Sequence, residues 1–299
     1  MKNTMVNTTL LTLAISLPSL LMGCGGGGKD PVKPPVKPPI SGAAQCAGKS
    51  LDEGTSCMTL ENRDAIVYKP ASPLKGIALF LHGSPGSAKK VSLLFDAKSI
   101  SDSQQLVSVS PQGLDNMWGW NSLNTQANQS NADVDYIVNL FTKLRAENNI
   151  TSDKVYIFGY SAGGFMGYKL ACQIPEQITA FVSIAGQFRG DFNECSTSTP
   201  ITLHHFHSPQ DSEVPINGRN TGGIKSVHET LAHWRLINGC SEISTTLEHP
   251  KVIEASEGTN TKIWQDCVKP VSFSTMKNVP HESSYDTDVL QQIYAPIFN

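Results

Sequence analysis

The run Val155-Tyr156-Ile157-Phe158-Gly159-Tyr160-Ser161-Ala162-Gly163-Gly164 is the part of this chain best suited to covalent chemistry. An apolar stretch of strand character feeds Gly-x-Ser-x-Gly, and a helical pattern follows, which is the context in which that pentapeptide acts as a nucleophile elbow. The bend is tight. Side chains at 159 or 163 would collide with the neighbouring strand and helix, while Ser161 Oγ projects over the carboxyl edge of the sheet. The helix starting just after it aims free N–H groups and a positive dipole end at developing negative charge. The plain alternative is a glycine-rich turn that only packs.

A serine hydroxyl is a poor nucleophile near neutral pH, so a base and a residue to orient it must come from elsewhere in the chain. After a strand candidate at 202–207 the chain reads Ser208-Pro209-Gln210-Asp211-Ser212-Glu213-Val214-Pro215, with Asp211 as the expected acid and Glu213 in reserve. The last strand candidate leads through Asn278-Val279-Pro280 to His281, the expected base. Acyl transfer also needs donors for an oxyanion. The expected ones are the N–H of Ala162 and the N–H of Ser84 in Leu81-His82-Gly83-Ser84-Pro85-Gly86-Ser87, because Pro85 has none to give. His82, which precedes the serine, is read as a structural hydrogen-bonder.

Other residues of chemical interest have plainer readings. His204, His205 and His207 look like a metal cluster, but strand alternation puts His205 and His207 on one face and His204 on the other, so no metal site is assigned. His228 and His233 lie five apart on a predicted helix and read as surface or packing residues; His249 precedes Pro250 with no strand logic behind it. Trp118-Gly119-Trp120-Asn121 would suit a cleft wall, with Trp118 the expected substrate contact. Both rings capping the core is the alternative.

The elements that must hold these residues alternate. Short apolar runs at 76–81, 106–109, 155–158, 181–184, 202–206 and 271–275 read as strands, and 91–101, 133–147, 162–172, 226–237 and 286–294 as helices. In the second helix Val134, Ile137, Val138, Phe141 and Leu144 share one face, as in a helix packed on a sheet. The pattern implies an α/β fold with a mostly parallel central sheet and helices on both faces.

The 299 residues are 39% apolar and 16% charged, enough for a sizeable core. Lys and Arg total 23 against 26 Asp and Glu, a net charge of -3, so no positive field exists to hold nucleic acid. Residues 1–23 read as a cleaved export signal: Lys2 is followed by an apolar stretch that Pro18 interrupts, shorter than the roughly 18–20 residues of a membrane span. Leu21-Met22-Gly23-Cys24 resembles a bacterial lipobox, with Cys24 the lipidated first residue of the mature chain. Residues 24–45, rich in Gly and Pro, form an extended tether at about 3.1 Å per residue, and 46–299 form the catalytic domain. The other six cysteines, Cys46, Cys57, Cys172, Cys195, Cys240 and Cys267, favour three disulfides in an exported chain. Sequence order suggests 46 with 57, 172 with 195 and 240 with 267, although six cysteines allow 15 pairings.

Taken together, Leu-His-Gly at 81–83, Ser-Pro-Gln-Gly at 110–113, Gly-Tyr-Ser-Ala-Gly-Gly at 159–164, Asp211 with Val214-Pro215, and the stretches 234–240 and 264–267 resemble the polyhydroxybutyrate depolymerase and feruloyl esterase group of α/β-hydrolases. The likeness runs over roughly residues 64–298. It implies a serine esterase working through an acyl-enzyme without cofactor or metal, on hydroxyalkanoate or polyester oligomers or on feruloyl or acetyl esters of polysaccharides. It also implies the Cys240 with Cys267 bond. One departure stands out: the group often continues its catalytic histidine as Gly-His-x-Trp-Pro, whereas this chain has Pro280-His281-Glu282-Ser283, which keeps the base without the aromatic wall. The expectation is a monomeric lipoprotein of the outer membrane or cell surface, or else a periplasmic or secreted protein, that meets an ester substrate and a membrane but no nucleic acid. A serine peptidase on the same fold, or a non-catalytic surface binding lipoprotein, are the alternatives.

Overall fold

The computed structural model describes residues 44–71, 73–119, 132–282 and 284–299, and the described residues belong to one compact unit. The expected signal, Cys24 and nearly all of the tether lie outside these residues, as do Trp120 and Asn121. Among the described residues no helix is long and apolar enough to cross a membrane.

The chain enters through a short pairing of β1 (Gln45–Cys46) with β2 (Lys49–Ser50), then a hairpin of β3 (Thr55–Leu60) and β4 (Arg63–Tyr68). Pairing thus begins at Gln45, the last residue assigned to the tether. Glu61 and Asn62 turn the hairpin with φ of 52° and 60°, the left-handed pair that a two-residue hairpin requires. The alternating region follows: β5 (Gly76–Leu81), α1 (Ala88–Leu94), α2 (Ala97–Gln104), β6 (Leu106–Pro111), α3 (Ala132–Asn148), β7 (Val155–Tyr160), α4 (Ala162–Gln173), β8 (Ala180–Ile184) and β9 (Thr202–His207). It ends with α5 (Val227–Ile237), β10 (Ser244–His249), β11 (Thr259–Trp264), β12 (Val271–Met276) and α6 (Thr287–Tyr294).

Ten strands form one sheet in the order β10-β11-β12-β9-β8-β7-β5-β6-β4-β3. The six from β12 to β6 are parallel, and the outer strands on each side run antiparallel to their inner neighbours. β5, β6, β7 and β8 are buried at every position, as parallel strands covered on both faces must be. Their side chains alternate between two cores. Ile77, Leu79 and Leu81 of β5 join Leu140 and Phe141 of α3, Met166 of α4 and Trp234 of α5; Ala78 and Phe80 join Val91 of α1, Ile100 of α2 and Leu290 of α6. The α/β-hydrolase arrangement expected from the sequence, a mostly parallel sheet with helices on both faces, is the one the chain adopts.

Three expectations change. The single helix at 91–101 is two helices, because Asp96 sits at φ 49° and its carboxylate accepts from the Ser99 N–H at 3.2 Å, capping α2; apolar spacing runs through such a break. His249 does belong to a strand, the end of β10 opposite Thr259. The hairpins β3–β4 and β10–β11 widen the sheet beyond the expected strands; the largely exposed β3 and β10 lack the apolar runs that marked the centre, while β4 carries the buried run Ala65-Ile66-Val67 and was not among the expected strands.

The chain passes from β5 outward to β6 and then returns to β7 on the other side of β5. The carboxyl ends of β5 and β7 are therefore adjacent at a topological switch point, where open α/β sheets collect their sites. Three disulfides join Cys46 to Cys57, Cys172 to Cys195 and Cys240 to Cys267, a chemistry of oxidising compartments.

Candidate active site

Ser161 occupies the single residue between β7 and α4, at φ 52° and ψ -118°. A non-glycine residue holds such a strained backbone only where its surroundings fix it. Here the Ser161 N–H donates to the Ile184 carbonyl at 2.9 Å, and the N–H groups of Gly164 and Phe165 close on the Ser161 carbonyl at 2.8 and 3.1 Å. A side chain at Gly163 would overlap the Leu81 carbonyl oxygen, and one at Gly159 would overlap the carbonyl of Gly163. Both glycines are needed for close approach of strand and helix.

The structure brings together the serine, the acid and the histidine. His281 Nε2 lies 2.9 Å from Ser161 Oγ, and His281 Nδ1 lies 2.7 Å from Asp211 Oδ2. The carboxylate can only accept, so Nδ1 carries the proton and Nε2 faces the serine hydroxyl as acceptor. Asp211 Oδ1 takes the N–H groups of Glu213 and Val214 at 3.0 and 2.8 Å. Glu213, the reserve acid, contributes its backbone to this arrangement while its side chain lines the cleft. Asp211 is 4% and Ser161 8% exposed, so the dyad behind the serine is dry while the hydroxyl opens to the cleft.

The cleft is small, opens to solvent, and is bounded by the loop 82–87, by Val91 and Leu94 of α1, and by Tyr160, Ser161, Glu213, His281 and Glu282. Ala162 is the first residue of α4, a position whose N–H has no intrahelical carbonyl to bond. Ser84 lines the wall of the same cleft as Ser161, and a Cβ on neighbouring Gly83 would sit 3.2 Å from Ser161 Cβ.

That wall is built on His82. Its Nε2 accepts from the Gly113 N–H at 2.9 Å, so its proton is on Nδ1, which donates to the Gly83 carbonyl at 2.6 Å. Burial, partly offset by the bond to Gly83, holds His82 below the ordinary histidine range and therefore neutral. Trp118 is a correction. It is 2% exposed and does not line the cleft: its indole N–H donates to the His82 carbonyl at 2.9 Å and its ring lies 4.9 Å from the imidazole. A large ring with a polar edge is more stable under this loop than in solvent.

Some contributors lie within the motifs, although the sequence assigned them no role. Gln112 accepts from the Ala88 N–H at 2.9 Å and donates to the carbonyl of Gly86 at 3.2 Å. Tyr160 donates to the carbonyl of His281 at 2.7 Å. Glu282 holds the variable position of the group's Gly-His-x-Trp-Pro, the aromatic position itself falling on Ser283, outside the described residues; Glu282 is bonded to Lys90 of α1 at 2.5 Å and to Tyr160 at 3.3 Å. Lys90 above all holds its carboxyl below the usual range. A charged pair borders this end of the cleft.

Of the three strand histidines, His205 and His207 share a face with rings 5.4 Å apart, and His204 points to the other, where its Nε2 lies 2.7 Å from Ser274 Oγ. His233 stacks on Phe192, and His228 is exposed.

Comparison with known proteins agrees with this architecture. The profile of the phospholipase/carboxylesterase family matches residues 62–226. The chain is 27% identical over 220 residues to the bifunctional acetylxylan esterase/xylanase XynS20E of Neocallimastix patriciarum, covering 72% of this chain and 30% of that protein. It is 26% identical over 166 residues to the probable feruloyl esterase C of Aspergillus niger, covering 55% of this chain and 53% of that one. The chain thus spans about half or less of the length of these curated relatives. An acetyl xylan esterase from Aspergillus awamori shares the fold with a TM-score of 0.59 at 16% identity, over 82% of this chain and 99% of that one.

Proposed function

The chain belongs to the phospholipase/carboxylesterase family, and on that premise we propose that it is a serine esterase with Ser161 as nucleophile, His281 as base and Asp211 as its orienting acid. The observation that carries the reading is the unbroken pair of bonds, 2.9 and 2.7 Å, from Ser161 Oγ through His281 to Asp211. As Ser161 Oγ attacks the ester carbonyl, its proton passes to His281 Nε2. The resulting imidazolium is stabilised by Asp211, and the oxyanion is met by the N–H groups of Ala162 and Ser84. Collapse of the tetrahedral intermediate breaks the carbon–oxygen bond to the alcohol, which leaves with the His281 proton. Water, deprotonated by the same imidazole, then releases the acid and frees Ser161.

For substrate we infer an acetyl or feruloyl ester of a polysaccharide. The cleft border carries Lys90, Glu282, Glu213 and the hydroxyls of Ser84 and Ser87, groups that hydrogen-bond sugar hydroxyls better than they bury an apolar polyester. The signal, the lipobox-like Cys24 and the tether support an exported lipoprotein, with the domain from residue 46 onward held off a membrane.

The test is turnover of 4-nitrophenyl acetate and then of acetylated xylan, methyl ferulate and hydroxybutyrate oligomers. Ser161→Ala should lower kcat at least about a thousandfold. Turnover that survives this substitution overturns the nucleophile, and a preference for hydroxybutyrate oligomers over both carbohydrate-type esters overturns the substrate class.

A further inference from the structure

Behind Asp211 runs a second line of hydrogen bonds for which the proposed reaction has no use. Tyr168 OH lies 2.9 Å from His205 Nδ1, and His205 Nε2 lies 3.2 Å from His207 Nδ1. His207 Nε2 lies 2.8 Å from the Val214 carbonyl oxygen and 3.6 Å from Asp211 Oδ2. Both imidazoles are wholly buried.

The chemistry at the end of the line fixes every proton along it. A carbonyl oxygen only accepts, so His207 carries a proton on Nε2. Burial above all holds both imidazoles below the ordinary histidine range, so each is neutral with one N–H. His207 Nδ1 is then bare and accepts from His205 Nε2–H. That leaves His205 Nδ1 bare, and it accepts from the Tyr168 hydroxyl, which burial keeps protonated.

We propose that Tyr168, acting through His205 and His207, is a tautomer lock on the acid loop, a set of positioning residues that keeps an N–H facing Val214 and Asp211. The proposal rests on Asp211 being the triad acid. Were the His205 proton on Nδ1, its Nε2 lone pair would draw the His207 proton to Nδ1. A bare His207 Nε2 would then face the Val214 carbonyl at 2.8 Å with the carboxylate close behind. The loop that supplies the Glu213 and Val214 N–H groups to Asp211 Oδ1 would move away from that repulsion. Tyr168 lies about two turns along α4 from its N-terminal end, so the helix that presents Ser161 also sets the acid that serves it.

Nitrogen NMR of histidine-labelled protein reads the tautomers directly. In Ser161→Ala, where no turnover is needed, His205 and His207 should both appear as neutral Nε2–H forms with slow solvent exchange. Either one found charged or as the Nδ1–H form overturns the lock, whether or not any ester is cleaved. Tyr168→Phe keeps the ring and removes the donor. It should mix the His205 tautomers and, in the active protein, lower kcat roughly ten- to a hundredfold with KM unchanged. Unchanged tautomers, or changed tautomers with unchanged kcat, overturn the positioning role. If Tyr168→Phe does not fold, the tautomers in Ser161→Ala still decide. If Ser161→Ala keeps full activity while its tautomers are as stated, the nucleophile assignment fails and the lock stands.

Discussion

Gln112 bonds three parts of one loop assembly. Its amide accepts from the N–H of Ala88 and donates to the carbonyl of Gly86 and to Asn116 Oδ1, while lying 3.2 Å from His82 Nε2. Residues 82–86 carry the proposed second oxyanion donor, and an oxyanion hole works only when its N–H groups are fixed before charge develops. Gln112→Ala should therefore lower kcat on 4-nitrophenyl acetate roughly ten- to a hundredfold and leave KM nearly unchanged. Steady-state kinetics on folded protein checks this, and an equal rise in KM with constant kcat would assign Gln112 to ground-state binding instead. His82, Gln112 and Trp118 act on the site through the backbone of this loop. That explains why Trp118, read from its aromatic character as a cleft wall, lies beneath the loop.

β9 carries three buried histidines, and burial makes the strand sensitive to acid. The folded state holds His204 down to about 3, through burial first and the nearby His249 second, and holds His205 and His207 below their ordinary range as well. An unfolded histidine takes up its proton near pH 6.5, so the stability these groups contribute is whole above that value. It is lost as pH falls toward their folded pKa values, at up to about 1.4 kcal/mol per pH unit for each histidine. Thermal unfolding between pH 7 and pH 4 should thus show a steep fall in Tm, and His204→Asn should make it shallower by one proton's worth. An identical slope in the variant would show that His204 is protonated in the folded protein. The same strand delivers Asp211 at its carboxyl end, so the residues that make it acid-labile and those that hold the acid loop are neighbours.

At the scale of the whole chain, three disulfides and an amino-terminal sequence of export character point to one compartment. All six cysteines from Cys46 onward are paired, at sequence separations of 11, 23 and 27, so each bond closes a local loop within the catalytic domain. The proposed anchor is Cys24. With buried acyl carbons worth about 0.8 kcal/mol each, the wild-type chain should sediment with membranes and incorporate labelled palmitate. Cys24→Ala should do neither while keeping esterase activity per molecule. A Cys24→Ala chain that still carries label and still sediments would remove the lipobox reading.

The sequence by itself determined the alternating strands and helices, the glycine-flanked turn at Ser161, and the chain order of Ser161, Asp211 and His281. Each is written in local pattern: full-length apolar runs for buried strands, glycines where backbones touch, loop residues just past strand ends. Gly163 is legible because nothing larger clears Leu81. Only the tertiary structure decided what the residues between these landmarks do. Trp118 went under a loop, Glu282 took a lysine from α1, and three neighbouring histidines, already divided by strand alternation, took different partners on the two faces. The physical reason is that a side chain's polar partners lie tens to hundreds of residues away in sequence, 37 for Tyr168 with His205 and 192 for Lys90 with Glu282, so its role is set by the packing of the sheet and not by its neighbours in the chain.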